Sequence, residues 1–196
     1  MVTEGNSLKE NHDDEKARLR ADFQAQRRAL DAAEWARMSG AITRSALTEP
    51  ALGPAGAVFA YVSKGREADT HALISELWRQ GKIIITPSNS GRGAAPDKFV
   101  MRGAAGGDER SAGIGEIRRM VDVVIVPGLA WDGQGYRIGY GGGYFDRVLA
   151  CLNPDALKIG LAFEFQVVGR LPVDPWDVPV DVVITESRRI MAGCGG

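Results

Sequence analysis

Thiol and imidazole chemistry have little to work with in this chain. Its 196 residues include two cysteines, Cys151 and Cys194, and two histidines, His12 and His71. Two cysteines without metal-like spacing exclude a thiolate zinc cluster and a disulfide scaffold, and both read as plain thiols of a reducing compartment. With one histidine in a polar leader and the other in a helical pattern, no Ser–His–Asp or Cys–His arrangement is suggested. Neither sign of charge is in excess. Lys and Arg total 24 against 25 Asp and Glu, a net charge of -1, which excludes a broad nucleic-acid footprint but leaves room for a local basic patch. No apolar run approaches the ~20 residues of a membrane helix, and the opening "MVTEGNSLKENHDDEKARLR" is too polar for a signal peptide. The expectation is a cytoplasmic monomer without membrane or nucleic-acid partners.

Apolar and charged fractions of 44% and 25% belong to an ordinary globular domain, and the length suits one domain. Residues 1–13 read as a disordered polar tail, 14–187 as a single α/β domain and 188–196 as a second tail. From Asp14 the pattern is helical, with Leu19, Phe23 and Leu30 on one side. A second helix carries Trp35, Met38, Ile42 and Ala46 behind Asp31 and Glu34, which have capping-box spacing. Strand and helix patterns then alternate. "AVFAYVS" (57–63), "KIIIT" (82–86), "VDVVIVP" (121–127), "LKIGLAF" (157–163) and "VDVVIT" (180–185) read as strands. "DTHALISELWRQG" (69–81), capped by Asp69 or Thr70, and "GYFDRVLACL" (143–152) read as helices. Continuous apolar strands are those buried on both faces of a parallel sheet, so the predicted fold is a three-layer α/β/α sandwich with a mostly parallel sheet and an N-terminal helical segment. Residues 88–116, rich in Gly and Ala, fit only one strand, "KFVMR", and read as a long functional or mobile loop.

The stretch from Val126 to Ala150 contains seven glycines, a costly concentration of conformational freedom. Gly139, Gly141, Gly142 and Gly143 lie between a strand and a helix. A flexible loop and a phosphate cradle both fit that spacing, and the flanking elements favour the cradle, with the helix offering free N–H groups to an anion. The run matches neither the Walker pattern nor the dinucleotide fingerprint. Asp146, in the first turn of the helix, is either a charge set against the helix dipole or a Mg²⁺ ligand. Asp177, in "DPWDVPVD", is either a turn residue or a second carboxylate for that ion. Lys16 and Arg20 are four apart and share one exposed helical face.

"PGLAWDGQGYRIGYGGGYFDR" resembles the signature of the 5-formyltetrahydrofolate cyclo-ligases, also called methenyltetrahydrofolate synthetases. "KARLR", "YVSKGREADT", "GKIIITP", "GLAFEFQ" and "LPVDPWDVPVDVVITE" resemble further pieces of that family in the right order, so the likeness runs over roughly residues 14–187. The resemblance implies an ATP- and Mg²⁺-dependent closure of 5-formyltetrahydrofolate to 5,10-methenyltetrahydrofolate, with ADP and phosphate released after phosphorylation of the formyl oxygen. It implies ATP contacts by Lys16 and Arg20. Arg137, Ile138, Gly139, Tyr140, Gly141, Gly142, Gly143, Tyr144 and Phe145 would wrap the phosphates, the loop from Tyr140 to Tyr144 also bordering the folate. Val62 and Glu67 would line the folate site, and Asp146 and Asp177 would hold Mg²⁺. No residue is assigned as acid or base, because such a reaction asks the protein mainly to align two ligands and neutralise phosphate charge. The alternative is a non-catalytic nucleotide- or folate-binding paralogue on the same fold.

Overall fold

In the computed structural model, which describes residues 4–88, 98–104 and 107–193, short apolar strands line up as one sheet. The elements are α1 (Glu4–Ala29), α2 (Ala32–Leu47), β1 (Ala57–Ala60), α3 (His71–Arg79), β2 (Ile83–Pro87), β3 (Lys98–Arg102), β4 (Glu109–Gly113), α4 (Ile114–Ile117), β5 (Val123–Val126), β6 (Ala130–Asp132), β7 (Arg137–Ile138), α5 (Tyr144–Cys151), β8 (Leu157–Leu161), β9 (Val167–Val168), β10 (Val182–Ile184) and β11 (Arg189–Met191). The main sheet has the order β11-β10-β8-β5-β1-β2-β3-β4. Its five central strands are parallel, and β11, β3 and β4 join antiparallel. The predicted α/β/α sandwich with a mostly parallel sheet is the observed architecture.

Alternation along each strand explains the two cores. Val58, Val123, Ile125, Ile159, Leu161, Val182 and Ile184 face α2 and α3, meeting Met38, Ile42, Leu73 and Leu77. Phe59, Val124, Val126 and Val183 face the other way and meet Ile117, Val148 and Leu149 of α4 and α5. Each such side chain, fully buried, contributes roughly 1.5–3 kcal/mol. Asp31 caps α2 by accepting from the Ala33 and Glu34 backbone N–H groups, both at 2.8 Å.

A second sheet, β7-β6-β9, grows out of the loop beyond β5. Leu19 and Phe23 of α1 pack on it against Leu129, Ala130 and Ile138. It is locked to the main sheet by Trp131, which is fully buried. A Cβ on Gly128 would lie 2.6 Å from that indole and one on Gly160 2.5 Å away, so these two glycines exist for close approach. The cost of glycine there is offset by an aromatic burial that no larger residue would permit.

The structure departs from the expectations at its ends and edges. Helix α1 starts at Glu4, whereas the sequence predicts a tail running to residue 13. Residues 189–191 form an edge strand hydrogen-bonded to β10, whereas the sequence predicts a tail from 188. Within 88–116 the expected strand is β3, but β4 and α4 are added; β4, "ERSAG", is mostly exposed and lacks apolar alternation. Residues 89–97 and 105–106 of that segment, and Cys194, lie outside the described residues.

Candidate active site

Open parallel sheets bind ligands beyond the carboxyl ends of their strands. At that end β1 runs into the segment 61–70, and β5 leads through the small sheet into the glycine loop and α5. Gly141 and Gly143 have φ of +92° and +58°, left-handed values that strain any residue with a Cβ. The loop is exposed from Tyr140 to Gly143, and a Cβ on Gly139 or Gly142 would meet nothing within 4 Å. Helix α5 follows with no side chain on its N-cap, leaving first-turn N–H groups for an anion.

Helix α1 lies against this loop. Arg20 donates from Nε to the Gly139 carbonyl at 3.1 Å. Lys16, expected on an exposed face, is instead buried, 6% exposed, because its ammonium is shared by two carboxylates, Asp174 and Asp177, each at 2.7 Å. Burial pulls the ammonium down, but the two hydrogen-bonded aspartates outweigh it and hold Lys16 above its ordinary 10.5. Asp177 also accepts from the Asp174 N–H at 2.8 Å, so the two aspartates and Lys16 form one unit.

Arg137, on β7, is buried and forks between the Val178 carbonyl and Asp146 Oδ1, both at 2.7 Å. Burial pulls its guanidinium below the ordinary value, and the Asp146 charge offsets part of that. The Val178 N–H also donates to Asp146, at 3.4 Å. Asp146, Asp177, Lys16 and Arg137 are thereby drawn into one patch under the glycine loop.

A third line of contacts crosses from α1 to the segment after β1. The Tyr140 hydroxyl donates to Glu67 Oε1 at 2.7 Å and accepts from Arg27 Nη2 at 2.6 Å. Glu67 Oε2 accepts from the Lys64 N–H at 2.7 Å. Burial and the adjacent Glu67 push the Tyr140 phenol up to about 12. Val62 stands exposed on this segment. Three residues expected around the phosphates have apolar packing partners. Ile138 is buried in the small-sheet core, whereas Tyr144 and Phe145 are partly buried, Tyr144 against one core and Phe145 against both, with Phe145 6.0 Å from the Phe59 ring. The sequence pattern does not single out Arg27 or Asp174. Asp174 carries a signal in its spacing of three from Asp177; Arg27 carries none.

Among the described residues no three His, Cys, Asp or Glu side chains converge as a metal cage. Mg²⁺ does not require one, since it takes one or two carboxylates and completes its shell with water and substrate phosphates. Asp146 and Asp177 fit that demand in kind, and each already faces a protein cation with which an ion would compete. No helix among the described residues is long and apolar enough to cross a membrane.

A glycine loop beyond the carboxyl ends of a parallel sheet, with partly buried ion pairs beside it, defines an α/β protein with a small-molecule site. The particular family follows from its relatives. The model of the 5-formyltetrahydrofolate cyclo-ligase family matches residues 12–186. The 5-formyltetrahydrofolate cyclo-ligase of Escherichia coli K12 is 30% identical over 173 residues, covering 83% of this chain and 95% of the relative. The mouse cyclo-ligase is 28% identical, with 88% and 94% covered. The solved structure of Aquifex aeolicus 5,10-methenyltetrahydrofolate synthetase superposes with a TM-score of 0.74 at 30% identity, over 92% of this chain and 94% of that one. That of the Mycoplasma pneumoniae synthetase has the same fold, with a TM-score of 0.70 at 23% identity, over 87% and 98%. The chain belongs to the 5-formyltetrahydrofolate cyclo-ligase family and is an enzyme of the ligase class.

Proposed function

We propose that the chain closes 5-formyltetrahydrofolate to 5,10-methenyltetrahydrofolate at the expense of ATP, with Mg²⁺, as a cytoplasmic monomer whose partners are these small molecules. The observation that carries the chemical part is the open glycine loop with Arg20 tied to its first carbonyl and Lys16 and Arg137 in the patch beneath. A formamide oxygen is a poor leaving group. Transfer of the γ-phosphoryl group to that oxygen makes it a good one. Nitrogen-10 then attacks the formyl carbon, the carbon–oxygen bond breaks, phosphate departs and the nitrogen-10 proton goes to solvent.

In this reading the protein supplies alignment and charge. The loop N–H groups from Gly139 to Gly143, with Lys16, Arg20 and Arg137, hold the phosphates in line. Asp146 and Asp177 would hold Mg²⁺, which when bound neutralises phosphate charge. Glu67, oriented by Tyr140 and the Lys64 N–H, hydrogen-bonds the pterin or formamide end, and Val62 lines the same site. The test is direct. Purified protein with ATP, Mg²⁺ and 5-formyltetrahydrofolate is expected to develop the near-ultraviolet absorbance of the methenyl product with one ADP released per product. Absence of both signals, with both ligands bound, would sink the reaction and leave a binding paralogue.

A further inference from the structure

Beside the Arg27–Tyr140–Glu67 line the surface opens into a bay of about 250 Å³, lined by Gln24, Arg27, Arg28, Lys64, Arg66 and Tyr140 with Gly65. Four of these residues are cations and none is an acid. Among the described residues none of the four takes part in an ion pair, although the chain as a whole has slightly more acids than bases. Glu67, the carboxylate that pairs with Tyr140 of this lining, is 8% exposed and is engaged by the Tyr140 hydroxyl and the Lys64 N–H.

Arg27 makes this more than a basic patch. Its side chain is 7% exposed, yet its Nε has no partner. Its other contacts are neutral oxygens, the Gly128 carbonyl at 3.4 Å and the Tyr140 hydroxyl at 2.6 Å. A buried guanidinium with a donor unsatisfied and no counter-charge in contact is unfavourable until an anion arrives. The walls are also fixed in advance. Arg66 lies over the Trp35 ring at 5.5 Å and Arg27 over Tyr140 at 5.7 Å. Trp35 Nε1 donates to the Glu67 carbonyl at 2.7 Å, and Thr70 Oγ1 ties the start of the segment by donating to the Tyr61 carbonyl at 2.8 Å. Cations held this way lose little freedom on binding.

We propose that this bay is an anion subsite that takes a multiply charged oxyanion, with Arg27, Arg28, Lys64 and Arg66 as its donors. Two substrates carry that chemistry, the nucleotide in its phosphates and the folate in its glutamyl carboxylates. Assigning the anion to a substrate rests on the proposed reaction; the anion site does not.

Calorimetry on the full chain with tripolyphosphate in one arm and tri-γ-glutamate in the other separates the two sources. The expected result is that the Kd of one probe rises about tenfold or more in Arg28→Ala/Arg66→Ala, since charged hydrogen bonds to the anion in the bay are removed. The probe that responds names the substrate. Arg44→Ala/Arg119→Ala makes the same change of charge at exposed positions outside the bay and is expected to leave the Kd within about twofold. Arg28→Ala alone, at an exposed position, is expected to show part of the weakening should the double variant misfold. No binding of either probe by the wild type, or equal weakening in the two double variants, overturns the proposal. Wild-type turnover is scored separately: probe binding without turnover removes the proposed reaction and leaves the subsite standing.

Discussion

Replacing Lys16 by methionine keeps the length of the side chain and deletes its charge. The ammonium bridges Asp174 and Asp177 at 2.7 Å each, so the variant leaves two carboxylates side by side without a counter-charge. Breaking a fully buried pair from one side costs roughly 3–5 kcal/mol. Here the aspartate side chains keep 21% and 16% of their exposure, so water screens part of the penalty and about 2 kcal/mol is expected. For a domain of this size that is a fall of about 4–8 °C in melting temperature. The pH dependence has a definite sign. Lys16 is held above its ordinary 10.5, so its contribution is complete below that value and is lost as pH rises through the folded-state value. The difference between wild type and variant is therefore expected to be flat across neutral and mildly alkaline pH and to shrink above 10.5. Calorimetric titration with ATP on the same samples is expected to show an affinity about tenfold weaker, the effect of deleting a single charged hydrogen bond to phosphate. A melting temperature within about 1 °C of wild type, together with unchanged ATP affinity, would refute both the structural and the ligand role.

Asp146→Asn keeps an oxygen for Arg137 but removes the charge beside a buried guanidinium, so a destabilisation of about 1–2 kcal/mol is expected by urea unfolding. On the proposed chemistry its turnover also needs more Mg²⁺, and wild-type turnover across a Mg²⁺ titration would remove Asp146 from the metal site. Gly160→Ala would set a Cβ 2.5 Å from the Trp131 ring; a cost of about 1–3 kcal/mol is expected from overpacking, and a variant as stable as wild type would show that the indole can move. Tyr140 is expected to titrate at about 12, seen as a phenolate absorbance step absent from Tyr140→Phe. Because the folded-state value is raised above 10.0, its contribution to stability is present below pH 10 and lost between 10 and about 12. A Tyr140 step at the ordinary position would contradict its hydrogen bond to Glu67.

The central sheet was legible because its strands are buried on both faces, and "AVFA", "VVIV" and "VVI" announce that with unbroken apolar runs. The small sheet was not. Strands β7 and β9 are two residues long, too short to carry a period, and β6 sits inside the same glycine-rich stretch. Strand β11 pairs only at an edge and shows a single partly buried side chain. In the site, Asp146 stood out by its place after the glycine loop and Asp177 by its place between prolines. Their partners could not be read, since Lys16 and Asp177 are 161 residues apart and Tyr140 and Glu67 are 73 apart. The helical period showed that Lys16 and Arg20 share a face, but whether that face meets solvent depends on what is packed against it. The glycine stretch also concealed two purposes, for Gly128 serves the packing of Trp131 while Gly141 and Gly143 serve the backbone path of the loop.

Helix α1 contributes Lys16, Arg20 and Arg27, while their partners extend to Asp174 and Asp177. Synthesis proceeds from the N-terminus, so these cations emerge early and must wait for most of the domain before their counterparts exist. Contacts of such sequence separation form late, after the loop-closure entropy has been met by nearer pairings. A chain released short of Asp174 would lack both carboxylates of the Lys16 clamp together with β10 and β11. The Lys16 clamp is therefore complete only in a chain translated past Asp177.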